Sequence, residues 1–225
     1  MKVRKRKLRK RPIRILILLL GVIIYFVLNR NVMLDSESIS QYPDYPTGCE
    51  SVSLYMLLKY YNVDVTIDEI IEELPKGPLP YGDGDILEGA NPEKEFVGNP
   101  LEENSYGVLN EPIRLTADKF KTGAKTKTNA TISDIKRILR FGNPLIAWFT
   151  TNIEKGIIYK EEWLDYETGE VVKWPSYEHA ILIIGIDKKY IYYNNPSTGE
   201  REKINIKKFK EIFDELDGRI VYYNK

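Results

Sequence analysis

Residues 46–61 read Pro-Thr-Gly-Cys-Glu-Ser-Val-Ser-Leu-Tyr-Met-Leu-Leu-Lys-Tyr-Tyr. From Val52 to Leu58 the segment is apolar on nearly every side, and a helix that is apolar all round is buried in its domain. The segment therefore predicts a central helix over residues 48–61. Cys49, the only cysteine of the chain, falls in the first turn of this helix.

The position of Cys49 makes it a candidate nucleophile. The N-terminus of a helix favours a nearby negative charge, so we expect the pKa of this thiol to be lowered toward the reactive thiolate. Gly48 permits close approach of the backbone, and the amide of Cys49 could face a developing oxyanion. The competing interpretation is a small buried hydrophobic residue, which is the usual role of a free cysteine.

Two residues of the second half could complete this chemistry. His179, the only histidine, opens an apolar strand predicted over residues 179–186, where an imidazole would be held rigidly as a base. The spacing from Cys49 to His179 falls in the range of papain-type pairs. Asn195 ends the next predicted strand, and antiparallel pairing would bring its amide oxygen to the imidazole. The alternative interpretations are that His179 only supports the fold and that Asn195 only starts a turn.

Three segments together resemble the C39-like cysteine peptidases of bacterial envelopes: Gln41–Leu54, Glu178–Gly185 and Asn194–Gly199. Phe96–Pro100 and Ser105–Gly107 also resemble the stretch that these proteins carry between the cysteine and histidine motifs. The resemblance covers about residues 38–224, which is nearly the whole chain after its N-terminal segment.

This resemblance implies a papain-like fold and a role for each matched residue. Cys49 is then the nucleophile, His179 the base and Asn195 the residue that orients the imidazole. The family often carries Asp at the position of Asn195. Gln41 is the implied donor to the oxyanion; it precedes Cys49 by eight positions, farther than in papain, so the residues between them must loop out.

Residues 1–30 combine a basic cluster with an apolar run. They hold ten Lys or Arg and no acidic residue, and Ile15–Leu28 is apolar throughout. Such a helix would span about 21 Å of the roughly 30 Å hydrocarbon core, and Arg14 and Arg30 could reach the headgroups from its ends. The pattern is typical of an export signal, and no small-residue cleavage site follows it closely. We therefore expect a single-pass membrane anchor with the body outside the cytoplasm, or secretion if the segment is cleaved; a soluble basic tail is the less favoured alternative.

The composition narrows the chemistry further. Residues 31–225 hold 23 basic and 33 acidic residues, a net charge of −10, which argues against nucleic acid as a partner. One cysteine and one histidine exclude a disulfide framework and the usual zinc motifs. We expect no metal and no cofactor. An unpaired thiol in an exported protein favours a functional role for Cys49.

The order of predicted elements indicates an α+β fold, with a helical half packed on an antiparallel sheet. We expect a linker over 31–40 and one peptidase domain over 41–225. Thr66 and Glu69 predict a capped helix that runs to about Leu74. Residues 75–112, rich in Pro and Gly, predict a surface excursion. Strands are predicted over 144–150, 162–166, 170–174, 179–186, 189–194 and 219–223, and helices over about 131–140 and 206–216.

The sequence therefore predicts a membrane-anchored or secreted cysteine peptidase that acts on a peptide or protein substrate. Trp148, Trp174 and the 75–112 excursion are expected as walls of the cleft. Two alternatives stay open: a thiol acyltransferase or amidase that uses the same residues, and a catalytically silent surface module that only binds its partner.

Overall fold

The structure is a computed structural model that describes residues 15–19, 21, 30–84 and 86–224. The predicted N-terminal hydrophobic helix lies largely outside these ranges, although residues 15–19 and 21 are helical. Within the described ranges, no helix combines the length and the apolar character needed to cross a bilayer. The body, Val32–Lys225, forms one compact unit by itself.

The helices of the body follow the predicted patterns in most places. They are α1 (Cys49–Tyr60), α2 (Ile67–Glu73), α3 (Asn110–Phe120), α4 (Ile132–Arg140) and α5 (Ile206–Glu215). The buried central helix is confirmed, because nine of the twelve residues of α1 are buried. The capping box of Thr66 and Glu69 is confirmed as the start of α2, and Thr131 with Asp134 caps α4 in the same way.

The strands form one large sheet and two small ones. The bounds are β1 Val32–Met33, β2 Lys76–Gly77, β3 Glu88–Gly89, β4 Phe96–Val97, β5 Ala124–Lys127, β6 Leu145–Thr150, β7 Ile158–Asp165, β8 Val171–Ser176, β9 Glu178–Ile186, β10 Tyr190–Asn195, β11 Glu200–Asn205 and β12 Ile220–Tyr223. In the described part of the chain the large sheet has seven strands, in the order β11-β10-β9-β6-β12-β5 with β1 beside β9. Its pairs are antiparallel, which confirms the α+β prediction.

Both faces of the large sheet are buried, which explains the continuous apolar runs of β6 and β9. Side chains alternate between the faces of a strand. Trp148, Ala180 and Leu182 pack against the α1 side, whereas Phe149 and Ile181 face the opposite core, which α4 and α5 complete. The catalytic candidates lie where the N-terminus of α1 meets β9 and the end of β10.

Two predictions are corrected by this packing. Part of the predicted linker belongs to the sheet, because Val32 and Met33 pair with Ile186 and Gly185 of β9. Trp148 is fully buried and donates its indole N–H to the Val108 carbonyl at 2.9 Å, so it is a core residue and not a wall of the cleft.

The 75–112 excursion is also more deeply integrated than a surface loop. Phe96 and Val108 are fully buried in the core beside α1, and Val97 packs in a smaller core with Trp163 and Trp174. Its short strands β2 and β4 pair in parallel, and β3 pairs with β7. The excursion thereby joins α1, which carries Cys49, to the β7–β8 hairpin.

Candidate active site

Cys49 is the first residue of α1, and its thiol is almost enclosed. The residue is 6% exposed. Gly48 before it has no room for a side chain, since a Cβ there would lie 2.9 Å from the Cβ of Tyr45. Cys49 Sγ accepts the backbone N–H of Ala180 at 3.4 Å, so the thiol contacts the residue directly after His179.

The thiol donates its hydrogen to a buried carboxyl group that the sequence did not single out. Cys49 Sγ lies 3.2 Å from Glu50 Oε2, while Glu50 Oε1 accepts the N–H of Val108 at 2.7 Å. Glu178 completes this cluster, because the sulfur and one carboxylate oxygen from each glutamate lie within 4.8 Å of one another. Among the residues that the structure describes, these three groups could also hold a metal ion.

The environment of the thiol corrects one expectation. Burial raises the pKa of Cys49 well above its ordinary value, and the charges of Glu50 and Glu178 act in the same direction. The Ala180 N–H opposes them by favouring the thiolate. The helix N-terminus alone would lower this pKa, but in the structure burial and two carboxyl groups outweigh it. The resting thiol is therefore protonated at neutral pH.

His179 and Asn195 are brought together as the sequence predicts. His179 Nε2 lies 2.8 Å from Asn195 Oδ1 and 3.2 Å from Ser197 Oγ. An amide oxygen only accepts hydrogen bonds, so this contact places the proton on Nε2 and leaves the Nδ1 lone pair available. Burial lowers the pKa of His179 to about 4, against the opposing effects of the Asn195 hydrogen bond and the Glu202 charge. The resting imidazole is therefore neutral.

Glu202 supports Asn195 from behind, and sequence reasoning missed it. Its Oε1 accepts hydrogen bonds from Asn195 Nδ2 at 2.9 Å and from Thr198 Oγ1 at 2.8 Å, and its Oε2 accepts one from the Tyr193 hydroxyl at 2.9 Å. These bonds fix which way the Asn195 amide points. The carboxylate also supplies the negative charge that Asn195 itself lacks. The β10–β11 hairpin that brings Glu202 opposite Tyr193 was not predicted.

Gln41 is buried and tied to the end of β10. Its backbone N–H donates to the Pro196 carbonyl at 2.8 Å, and the chain loops out between Gln41 and Cys49, with the Tyr45 N–H bonded back to the Gln41 carbonyl at 2.8 Å. The side-chain Nε2 donates to the carbonyls of Tyr45 and Pro46 at 3.2 and 2.9 Å. Its Oε1 is buried and has no hydrogen-bond partner among the described residues. An oxyanion donor would need one amide N–H turned toward Cys49.

Comparison with known proteins identifies relatives in sequence and a solved structure that has the same fold. A curated relative, the uncharacterized protein YvpB of Bacillus subtilis (strain 168), is 29% identical over 180 residues, which is 79% of this chain and 69% of that protein. A crystal structure of a candidate C39-like peptidase from Bacillus anthracis matches 88% of this chain and 98% of its own, with a TM-score of 0.77 and 24% identity. That similarity indicates the same fold.

A more distant solved structure is a double glycine motif protease from an AMS/PCAT transporter, in complex with the leader peptide. It matches 87% of this chain and 98% of its own at 16% identity, with a TM-score of 0.43. The family model described as the Peptidase_C39 like family matches residues 33–221, which is most of the chain and includes Gln41, Cys49, His179 and Asn195. This protein therefore belongs to the Peptidase_C39 like family.

Proposed function

We propose that this protein is a cysteine peptidase that cleaves peptide bonds through Cys49, His179 and Asn195. One observation carries the proposal. The thiol at the helix N-terminus accepts the N–H of Ala180, the residue that follows His179 on β9, and His179 Nε2 lies 2.8 Å from the amide oxygen of Asn195. Nucleophilic acyl transfer uses a nucleophile with a base that a third residue orients, and these contacts support Cys49, His179 and Asn195 in those roles.

The reaction begins from a neutral pair. His179 Nδ1 takes the thiol proton, which in the resting protein is directed at Glu50, and the sulfur attacks the substrate carbonyl carbon. The imidazolium then protonates the leaving amine as the C–N bond breaks, and a thioester remains on Cys49. His179 next removes a proton from water, whose oxygen attacks the thioester, and the released thiolate is reprotonated. Asn195, supported by Glu202, stabilises the transient imidazolium.

Two donors are available for the oxyanion of each tetrahedral intermediate. The N–H of Cys49 belongs to the first turn of α1, where backbone N–H groups have no acceptor within the helix. Gln41 is the second candidate, and it would release one of its two loop carbonyls to serve. Removing one such donor costs about a hundredfold or more in known enzymes.

Alkylation of the thiol tests the proposed pair directly, because Cys49 is the only cysteine in the chain. We expect iodoacetamide to label the native full chain at pH 7 and the His179→Ala variant about a hundredfold more slowly, since general bases contribute at least that much. The labelling rate of the Asn195→Ala variant should lie between those of the wild type and His179→Ala. Asn224→Ala, which changes an exposed asparagine near the end of the chain, serves as the control. Equal labelling of wild type and His179→Ala would contradict an activated pair.

The second readout is cleavage. A proteome-derived peptide library incubated with the full chain should acquire new termini, detected by mass spectrometry, and the Cys49→Ser variant should produce none. Transfer of the peptide acyl group to an added amine instead of water would identify an acyltransferase with the same nucleophile.

A silent binding module is the second candidate function, and the enclosed thiol favours it. Cys49 is 6% exposed, and burial together with Glu50 and Glu178 raises its pKa. Such a module should retain its partner in the Cys49→Ser variant and yield no cleaved peptide in the wild type.

We also propose that residues 1–30 anchor the protein in the membrane, with the body outside the cytoplasm. Ten basic residues and the apolar run Ile15–Leu28 support this proposal.

A further inference from the structure

An open groove of about 520 Å³ lies beside the candidate nucleophile. The 75–112 excursion, the β7–β8 hairpin and the first residue of β9 line it. The lining residues that matter here are Glu103, Tyr106, Glu161, Trp174, Tyr177 and Glu178. Glu178, which lines the groove, is the residue directly before His179, so the groove adjoins the proposed catalytic residues in sequence.

The groove also reaches the nucleophile in space. One carboxylate oxygen of Glu178 lies within 4.8 Å of Cys49 Sγ, so a side chain that contacts Glu178 belongs to a residue close to the bond under attack. The groove is therefore a candidate specificity subsite.

The carboxyl groups of this groove lack a basic partner among the described residues, and burial raises the pKa of Glu178 well above its ordinary value. Glu103, Glu161 and Glu178 all line it, and no Lys or Arg forms an ion pair with any of them in the part of the chain that the structure describes. Glu178 Oε1 is buried and has no hydrogen-bond partner among the described residues. A buried carboxyl oxygen without a donor costs free energy that a bound cationic group would recover.

Aromatic rings form the remaining walls. Trp174 and Tyr106 meet edge to face with ring centroids 6.0 Å apart, and the Tyr106 hydroxyl hydrogen-bonds Glu161. Tyr177 is 48% exposed at the rim. Aromatic faces beside carboxylates suit a lysine or arginine side chain, because the rings attract a cation and cover its aliphatic stem.

We propose that this groove binds a lysine or arginine side chain of the substrate next to the scissile bond, so that the protein selects basic peptides. The proposal deepens the proposed peptidase function and rests on it.

Binding tests the groove without requiring turnover. The full chain carrying Cys49→Ser is titrated by calorimetry with acetyl-Ala-Arg-Ala-amide and with the same peptide containing citrulline, which has the shape of arginine without its charge. EDTA is present throughout, because Cys49, Glu50 and Glu178 could also take up a metal ion. We expect the arginine peptide to bind at least about tenfold more tightly than the citrulline peptide.

Two variants and a matched control assign this preference to the groove. Glu161→Gln and Glu178→Gln, each introduced with Cys49→Ser, should reduce the arginine-to-citrulline ratio several-fold. Glu211→Gln is the control, since Glu211 is exposed on α5, which packs on the opposite face of the large sheet. Equal binding of the two peptides, or a ratio that both groove variants leave unchanged, would overturn the proposal.

The two proposals fail differently. If the wild type cleaves library peptides without a basic residue as fast as basic ones, and the two test peptides bind equally, the groove proposal is wrong and the peptidase stands. If the arginine peptide binds selectively but no peptide is ever cleaved, the groove is a cation site and the peptidase proposal is wrong.

Discussion

At the residue scale, Glu50 is the unexpected member of the site. It is fully buried, directly follows the candidate nucleophile Cys49, and joins the thiol to the backbone of Val108. Burial raises its pKa to about 7 from an ordinary 4.5, although the Val108 N–H, its own N–H and the thiol all favour the ionised form. A buried carboxyl group with such a shift makes the free energy of unfolding depend on pH.

The sign of that dependence gives the first stability prediction. Below pH 4.5 the carboxyl is protonated in both states and has no effect. Between pH 4.5 and about 7 this carboxyl ionises in the unfolded chain but stays protonated in the folded protein, so the free energy of unfolding falls as the pH rises. Above about pH 7 the carboxyl is ionised in both states, and the free energy of unfolding falls no further on its account. Glu50→Gln keeps an acceptor for Val108 but cannot ionise. Its stability relative to wild type should therefore rise between pH 4 and 8 by about 2–3 kcal/mol, since each tenfold change in proton affinity corresponds to about 1.4 kcal/mol.

Urea unfolding of both proteins at several pH values measures this difference. His179 titrates in both proteins, so to a first approximation its contribution cancels in the difference between their free energies of unfolding. The control is Glu72→Gln, which makes the same substitution at an exposed glutamate on α2. A Glu50→Gln curve that runs parallel to the wild-type curve would contradict the assignment.

At the element scale, the 75–112 excursion and α1 are joined at Gly107. A Cβ at this position would lie 2.6 Å from Glu50 Oε1 and 2.9 Å from Trp174 Cη2. Neither neighbour can retreat easily, because Glu50 is bonded to Val108 at 2.7 Å and Trp174 is 6% exposed. The glycine thus allows the excursion, α1 and the Trp174 side of the groove to pack together.

Gly107→Ala should therefore lower the free energy of unfolding by about 1–3 kcal/mol, as overpacking of a filled core does. Gly84→Ala in the same excursion is the matched control, since the nearest atoms to a Cβ there lie 3.8 and 3.9 Å away. Urea midpoints at pH 7 compare the two. If Gly107→Ala and Gly84→Ala have the same urea midpoint, a methyl group at position 107 does not overpack the core.

The helices and strands also show which parts of the fold can be predicted from local sequence signals. Local signals sufficed for the buried helix with Cys49, for the capped α2 and for the strands predicted over 162–166 and 170–174, which pair as β7 and β8. The sequence pattern does not predict α3, because Pro112 ends a stretch rich in Pro and Gly that is typical of an irregular loop, although proline is tolerated in the first turn of a helix. Glu50, Glu178 and Glu202 could not be assigned beforehand, since their roles arise only when distant strands and α1 meet.

At the scale of the whole molecule, charge is divided between two segments. Residues 1–30 carry ten basic and no acidic residues, whereas residues 31–225 carry a net charge of −10. An acidic body is repelled by anionic lipid headgroups, so attachment to a membrane would depend on residues 1–30. Basic residues before an apolar run are retained on the cytoplasmic side, which would place the body outside.

This division predicts the behaviour of the full chain in a bacterial host. The wild type should stay in the membrane pellet after an alkaline carbonate wash, and protease added to intact spheroplasts should digest its body. Leu18→Lys with Ile23→Lys should release the protein, because each lysine at the centre of a membrane helix costs about 2.5–3.5 kcal/mol. Glu72→Lys with Glu211→Lys adds the same residues to the body and should leave it in the pellet. Wild-type protein in the carbonate supernatant would contradict the anchor, and a body protected in intact spheroplasts would contradict export.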